Sequence, residues 1–99
     1  GQNFAFTGYL PIDKGERNRV IRNLENLAKK TGQTQIFMET PYRNNQLLDT
    51  LKAQCNNKTR LCIASNITSK TEFIHTKTIE EWKNTKIDIH KKPAIFLIN

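Results

Sequence analysis

Glu39 is the residue of this chain best placed to do chemistry. It stands in the segment Thr34-Gln35-Ile36-Phe37-Met38-Glu39-Thr40-Pro41-Tyr42-Arg43. Ile36, Phe37 and Met38 are consecutive and apolar, as in a strand covered on both faces. Thr40 can cap a following helix, and Pro41 suits a first helical position, where no amide donor is needed. Glu39 therefore falls where a strand ends and a helix begins, the edge at which open α/β sheets bind ligands. The plainer reading is that Glu39 pairs with Arg43 and complements the helix dipole. Two further features suit a cleft. Ser65-Asn66-Ile67-Thr68-Ser69-Lys70-Thr71 is a loop of small hydrogen-bonding side chains directly after an apolar run. Pro93-Ala94 opens the last apolar run and offers a flat surface without donors, against which a planar ring can lie.

Much other chemistry has no representative. The sequence holds no Gly-rich phosphate loop, no Cys or Ser nucleophile motif and no His-rich metal cluster. His75 and His90 lack partners at ligand spacing and read as packing or surface residues. Trp82 reads as a core plug. A general base does not stand out, Glu39 being only a hypothesis for that role, so no catalytic residue is assigned.

The elements that must position these residues follow from periodicity. Phe4-Ala5-Phe6 is a short strand ended by Gly8 and Pro11. Asp13 and Glu16 have capping-box spacing for a helix whose stripe is Val20, Ile21, Leu24, Leu27 and Ala28. Arg17, Arg19, Arg22, Glu25 and Lys29 are expected largely off that stripe, and Gly32 suits its left-handed end. The strand Thr34–Glu39 comes next, then a helix from about Pro41 to Cys55 burying Leu47, Leu48 and Leu51. Leu61–Ala64 is a buried strand and Glu72–Thr76 a short one. Thr78 and Glu81 have capping-box spacing for a helix with Ile79 and Trp82. A polar connection from Lys83 to Lys92 leads to a last strand, Pro93–Ile98. The order β-α-β-α-β-β-α-β predicts a mixed α/β (α+β) single domain over residues 1–99, a mixed sheet of about five strands with helices on its faces. The short loop at 65–71 requires an antiparallel pair, and the helix between the strands at Ile36 and Leu61 allows those two to be parallel.

Composition bounds the partners. A chain of 99 residues with 36% hydrophobic residues has a modest core. Lys and Arg number 16 against 9 acidic residues, a net charge of +7, which favours a phosphate-rich partner such as RNA. Cys55 and Cys62 lie far from metal-ligand spacing. They read as unpaired, semi-buried and core respectively, which points to a reducing, cytoplasmic setting. No stretch has transmembrane length or a signal-peptide pattern, so no membrane partner is expected.

Several of these segments together resemble the C-terminal half of a tetrapyrrole-methylase-type (class III) S-adenosylmethionine methyltransferase. The group most resembled is that of ribosomal RNA small-subunit methyltransferase I, which methylates a cytidine ribose 2′-hydroxyl. That group has F-x-G-F-L-P, matched by Phe6-Thr7-Gly8-Tyr9-Leu10-Pro11, and a basic helix follows in both. It then has I-F-Y-E-[ST]-P-H-R, matched by Ile36-Phe37-Met38-Glu39-Thr40-Pro41-Tyr42-Arg43. Its A-R-E-L-T-K segment is altered to Ala64-Ser65-Asn66-Ile67-Thr68-Ser69, and Thr76-Lys77-Thr78-Ile79 and Pro93–Ile98 resemble its late helix start and closing strand. Ser65 and Asn66 stand for the group's Arg and Glu, and Tyr42 for its His, departures that bear on which target is recognised. The resemblance implies the second domain of a two-domain methylase, closing over S-adenosylmethionine. It places cofactor contacts at Glu39, Thr40, Ala64, Thr68, Pro93 and Ala94, and substrate contacts at Arg43, Arg19 and Arg22. The Gly-rich cofactor loop is expected in an N-terminal domain of the same polypeptide, outside these residues. A homodimer is a further expected partner. Two other readings are a tetrapyrrole methyltransferase domain and a non-catalytic basic RNA-binding module.

Overall fold

The computed structural model describes residues 4–99. Its strands are β1 (Phe4–Tyr9), β2 (Thr34–Met38), β3 (Arg60–Ser65), β4 (Phe73–Thr78) and β5 (Ala94–Ile98). Its helices are α1 (Lys14–Thr31), α2 (Asn44–Gln54) and α3 (Ile79–Lys83). A single sheet runs in the order β1-β2-β5-β3-β4. β1 and β2 are parallel, whereas β5 lies antiparallel to both β2 and β3, and β4 antiparallel to β3. The expected mixed five-stranded sheet and the antiparallel pair across residues 66–72 are both present. β2 and β3 do run in the same direction, but β5 is inserted between them.

Register decides the two faces of the sheet. Phe37 pairs with Phe96, Phe96 with Ile63, and Ile98 with Leu61, so these five side chains project from one face. They are completely buried in one cluster with Ile21 and Leu24 of α1, Leu47, Leu48 and Leu51 of α2, and Ile79 and Trp82 of α3. All three helices therefore cover the same face of the sheet. The opposite face carries Phe6, Ile36, Leu97 and Cys62 in one register row and Tyr9, Met38, Ile95, Ala64 and Ile74 in the next. Most of these are half-buried or exposed, Phe6, Tyr9 and Ile74 being exposed outright. Ile36 and Met38 are apolar for this second, open face and not because the strand is enclosed.

Local chemistry explains the element ends. The Asp13 carboxylate accepts the Glu16 amide at 3.0 Å and starts α1, while Gly32 ends it at φ +73°. Thr78 and Glu81 form the complete reciprocal capping box of α3. Pro41 begins a 3₁₀ turn, Pro41–Arg43, ahead of α2; Thr40 precedes it but makes no side-chain cap. A bulge between Phe6 and Gly8, where Gly8 has φ +87°, extends β1 beyond Phe6 to Tyr9.

Several burial expectations change. Arg17 and Glu25 are buried and Leu27 is exposed. Arg17 stands four residues before Ile21 and seven before Leu24, so it continues the buried stripe towards the helix start. Glu25 accepts the Asn56 amide at 2.7 Å and the Thr59 hydroxyl, supplying partners to the turn before β3. Its carboxylate and the surrounding apolar packing act together on Cys55, where burial first and Glu25 second push the thiol up to about 12. Cys62 is half-buried on the open face and is not a core residue. Ile89 plugs the core from within the polar connection. No helix among the described residues is long and apolar enough to cross a membrane.

Trp82 is the core plug expected of it, fully buried, with its indole N–H donating to the Leu61 carbonyl at 2.8 Å. Trp82→Phe keeps most of the volume and leaves that carbonyl unpaired. It is expected to lower unfolding free energy by about 2 kcal/mol, the cost of a stranded buried acceptor, measured by urea denaturation.

Candidate functional site

The second register row of the open face ends in a cleft. Tyr9 closes β1, Met38 closes β2, Ala64 lies one residue from the end of β3, and Ile95 lies one residue from the start of the antiparallel β5. These four, which pair across four strands, form the floor. Glu39, Pro41, Ile67, Pro93 and Ala94 complete a cavity of about 320 Å³. It sits at the carboxyl edge of β1, β2 and β3, the edge where α/β sheets take ligands. Its lining is mainly apolar, with Glu39 as its carboxylate.

Glu39 is held with unusual rigour for a residue at a strand end. It is 4% exposed. Its Oε1 accepts the Thr40 amide at 2.8 Å and lies 3.3 Å from Arg43 Nη2. Arg17, itself buried, brings Nη1 to 3.9 Å from Oε2. The ion pair with Arg43 expected from spacing is therefore present, joined by a second guanidinium from α1. Among the described residues Oε2 has no hydrogen-bond partner, and neither does Nε of Arg17 or Arg43. A buried carboxylate oxygen without a donor is costly unless something supplies one. Glu39 thus lines an apolar cleft while its Oε2 is enclosed by the protein beside Arg17 and takes no hydrogen bond.

The structure brings Glu39, Ala64, Pro93 and Ala94 together around this cleft. Thr40 stands behind it, its hydroxyl 3.5 Å from Glu39 Oε1. Thr68 does not join them: it is exposed at φ +70°, and its amide donates to Glu72 Oε1 at 2.8 Å. The loop around it is tied to itself through Asn66, Ser69 and Thr71, and only Ile67 reaches the cleft. Arg43 is close by through its pair with Glu39. Arg19 and Arg22 are exposed on α1, Arg19 paired with Glu16 at 2.9 Å. Tyr9, Met38 and Ile95 were not singled out by sequence; the signal for them is parity along each strand, which assigns them to the face of Ala64. Among the described residues no three His, Cys, Asp or Glu side chains gather into a metal-binding group.

Comparison with known proteins is informative at the level of structure. No protein-family profile and no curated protein sequence matches this chain. Solved structures do. The methyltransferase CobJ superposes with TM-score 0.55 at 12% identity, over 99% of this chain and 41% of its own. Uroporphyrin-III C-methyltransferase from Thermus thermophilus, complexed with S-adenosyl homocysteine, gives 0.55 at 12% identity, over 96% and 41%. Cobalt precorrin-4 methyltransferase, a cobalamin biosynthetic enzyme, gives 0.55 at 16% identity, over 96% and 40%. The chain shares their fold. It spans about two fifths of the length of each.

The clamp on Glu39 makes a prediction about stability. Glu39→Ala leaves the buried Arg17 guanidinium without its carboxylate and is expected to cost about 3 kcal/mol, the penalty of an orphaned buried charge. Glu39→Gln, which keeps an acceptor for the Thr40 amide, is expected to cost less. Paired urea unfolding curves check the order.

Proposed function

We propose that this chain is the domain of an S-adenosylmethionine-dependent methyltransferase that closes over the cofactor, and that the methyl acceptor is RNA. The observation that carries the cofactor reading is the apolar cleft at the strand ends, with Glu39 in its lining. It is assembled from the segments that resemble a methylase, in a fold shared with a protein solved with S-adenosyl homocysteine.

The residues present fit such a ligand. Pro41, Pro93, Ala64 and Ala94 are small or flat and offer van der Waals surface to a planar base, without donors that would need partners of their own. Glu39 is the carboxylate of the lining, and the two arginines hold it in place. Bound there, S-adenosylmethionine supplies an electrophilic methyl group on a sulfonium. The contribution of this chain is to orient and to exclude water, since methyl transfer gains chiefly from alignment of the reacting groups. A second domain in the same polypeptide supplies the other wall of the cleft, because these residues provide only one.

The RNA reading rests on the resemblance to the ribosomal RNA methylating group, with a ribose 2′-hydroxyl as acceptor, and on charge. Lys14, Arg22, Lys29 and Lys30 are exposed along α1, and the chain carries +7. A second reading, a tetrapyrrole acceptor, is favoured by the names of the structural neighbours, two of which are a uroporphyrin-III and a cobalt precorrin-4 methyltransferase. A polycarboxylate macrocycle also suits a basic protein.

Calorimetry with S-adenosylhomocysteine on a polypeptide that carries both domains tests the cofactor reading; absence of binding heat refutes it. Ala64→Leu fills the cleft floor on the open face without entering the helix-facing core. A side chain standing in the space of the ligand is expected to lower affinity about tenfold or more, at least about 1.4 kcal/mol, with the melting temperature recorded alongside to separate any overpacking cost at the buried Ala64. Unaltered affinity removes this cleft as the site.

A further inference from the structure

Beside the cleft stands a group of side chains that the cofactor does not use. Tyr42, directly after the cleft residue Pro41, is 69% exposed. The His90 ring meets it edge-on, with centroids 5.8 Å apart and planes at 76°. Lys91 Nζ lies 5.7 Å from the Tyr42 ring centroid. Lys92 follows, exposed, immediately before the cleft residue Pro93.

This is a built arrangement. The segment 88–92 is fastened to the start of α2 by two asparagines. Asn44 is fully buried and its Nδ2 donates to the carbonyls of Ile89 at 3.0 Å and Lys92 at 2.6 Å. Asn45 accepts the Ile89 amide at 3.0 Å and donates to Asp88 Oδ1 at 2.9 Å. Asp88 in turn accepts the His90 amide at 3.0 Å. The Lys91 amide donates to the Pro41 carbonyl at 3.0 Å, which ties this segment to the cleft wall. Lys91 itself is held at φ +63°, a conformation that a non-glycine residue adopts at a cost. Ile89 between them is anchored in the core. Asp88 is the acidic member. Its carboxyl is held below its usual range by the Asn45 side chain and then the His90 amide, so it serves the loop as an acceptor at neutral pH.

We propose that Tyr42, His90, Lys91 and Lys92 form a platform for single-stranded RNA at the mouth of the cleft, with one base stacked on the Tyr42 ring and Lys91 and Lys92 on the adjoining phosphates. The inference rests on the RNA reading of the acceptor and adds where the strand lies. An exposed ring supplies a stacking face to any base, and neighbouring ammonium groups neutralise the backbone on either side of it. Because Pro41 and Pro93 belong to the cleft wall and flank these residues in the chain, a strand held here has an adjacent nucleotide next to the cleft.

The test uses this chain and a fluorescein-labelled decamer of uridine, followed by anisotropy between 50 and 300 mM salt. Tyr42→Ala is expected to weaken binding about tenfold, the worth of one stacked base, and Tyr42→Phe to stay within about twofold of the parent. The double substitution Lys91→Gln with Lys92→Gln is expected to lower the log–log salt slope by roughly 1.4, two phosphates on a single strand. All four side chains are exposed, so circular dichroism melts should coincide. Three results overturn the platform: no binding by the parent chain, Tyr42→Ala binding like the parent, or equal displacement by poly-glutamate or a uroporphyrin. S-adenosylhomocysteine binding by the two-domain polypeptide is read separately. Its persistence with no Tyr42 effect removes the platform alone; its absence beside a clear Tyr42 effect removes the methyltransferase and leaves an RNA-binding module.

Discussion

The insertion of β5 between β2 and β3 is the constraint on which everything else depends. The last strand of the chain is the middle strand of the sheet. Phe96 and Ile98 then complete the core beneath the helices, while Ile95, one residue away and of opposite parity, completes the cleft floor. Core and site are closed by the same five residues. No segment ending before residue 94 can have either, and the pairing of β2 with β5, far apart in sequence, is the kind of non-local contact that slows folding.

The same insertion explains why the sheet is two-faced. Three helices of modest length cover one side, and the apolar residues of the other side remain as a half-buried surface leading into the cleft. Glu39 stands at the margin of these two environments. Its carboxylate is enclosed by the protein, is held by guanidiniums from α1 and from the turn before α2, and still presents one oxygen without a donor. Burial at that price is understandable where a ligand or a second domain completes the shell.

Much of this is legible in the sequence. Capping residues Asp13 and Thr78, the left-handed Gly32 and the runs at Ile36, Leu61 and Ile95 set the element order, and the strand-to-helix junction pointed to Glu39. Less legible was whatever depends on which strands become neighbours. An apolar run such as Ile36-Phe37-Met38 does not say whether its second face meets helices or remains open. By its charge Arg17 reads with the arginines off the stripe, and only the fold supplies the buried carboxylate that makes its burial tolerable. The resemblance places Thr68 among the cofactor contacts, but a self-bonded loop with Asn66 and Thr68 at positive φ carries it away from the cleft. Ile89 was hidden in a polar stretch, where one apolar side chain has no periodicity to mark it.

On the proposed function, the floor of strand ends around Glu39, Ala64 and Ile95 is a nucleoside-binding wall. Amide proton–nitrogen NMR spectra of this chain titrated with millimolar S-adenosylhomocysteine test it directly, since weak binding to a single wall still moves resonances. Shifts are expected to concentrate at residues 38–41, 64–67 and 93–95, with the exposed side of α1 unmoved. Shifts confined to the helices, or none at all up to the solubility of the ligand, contradict it.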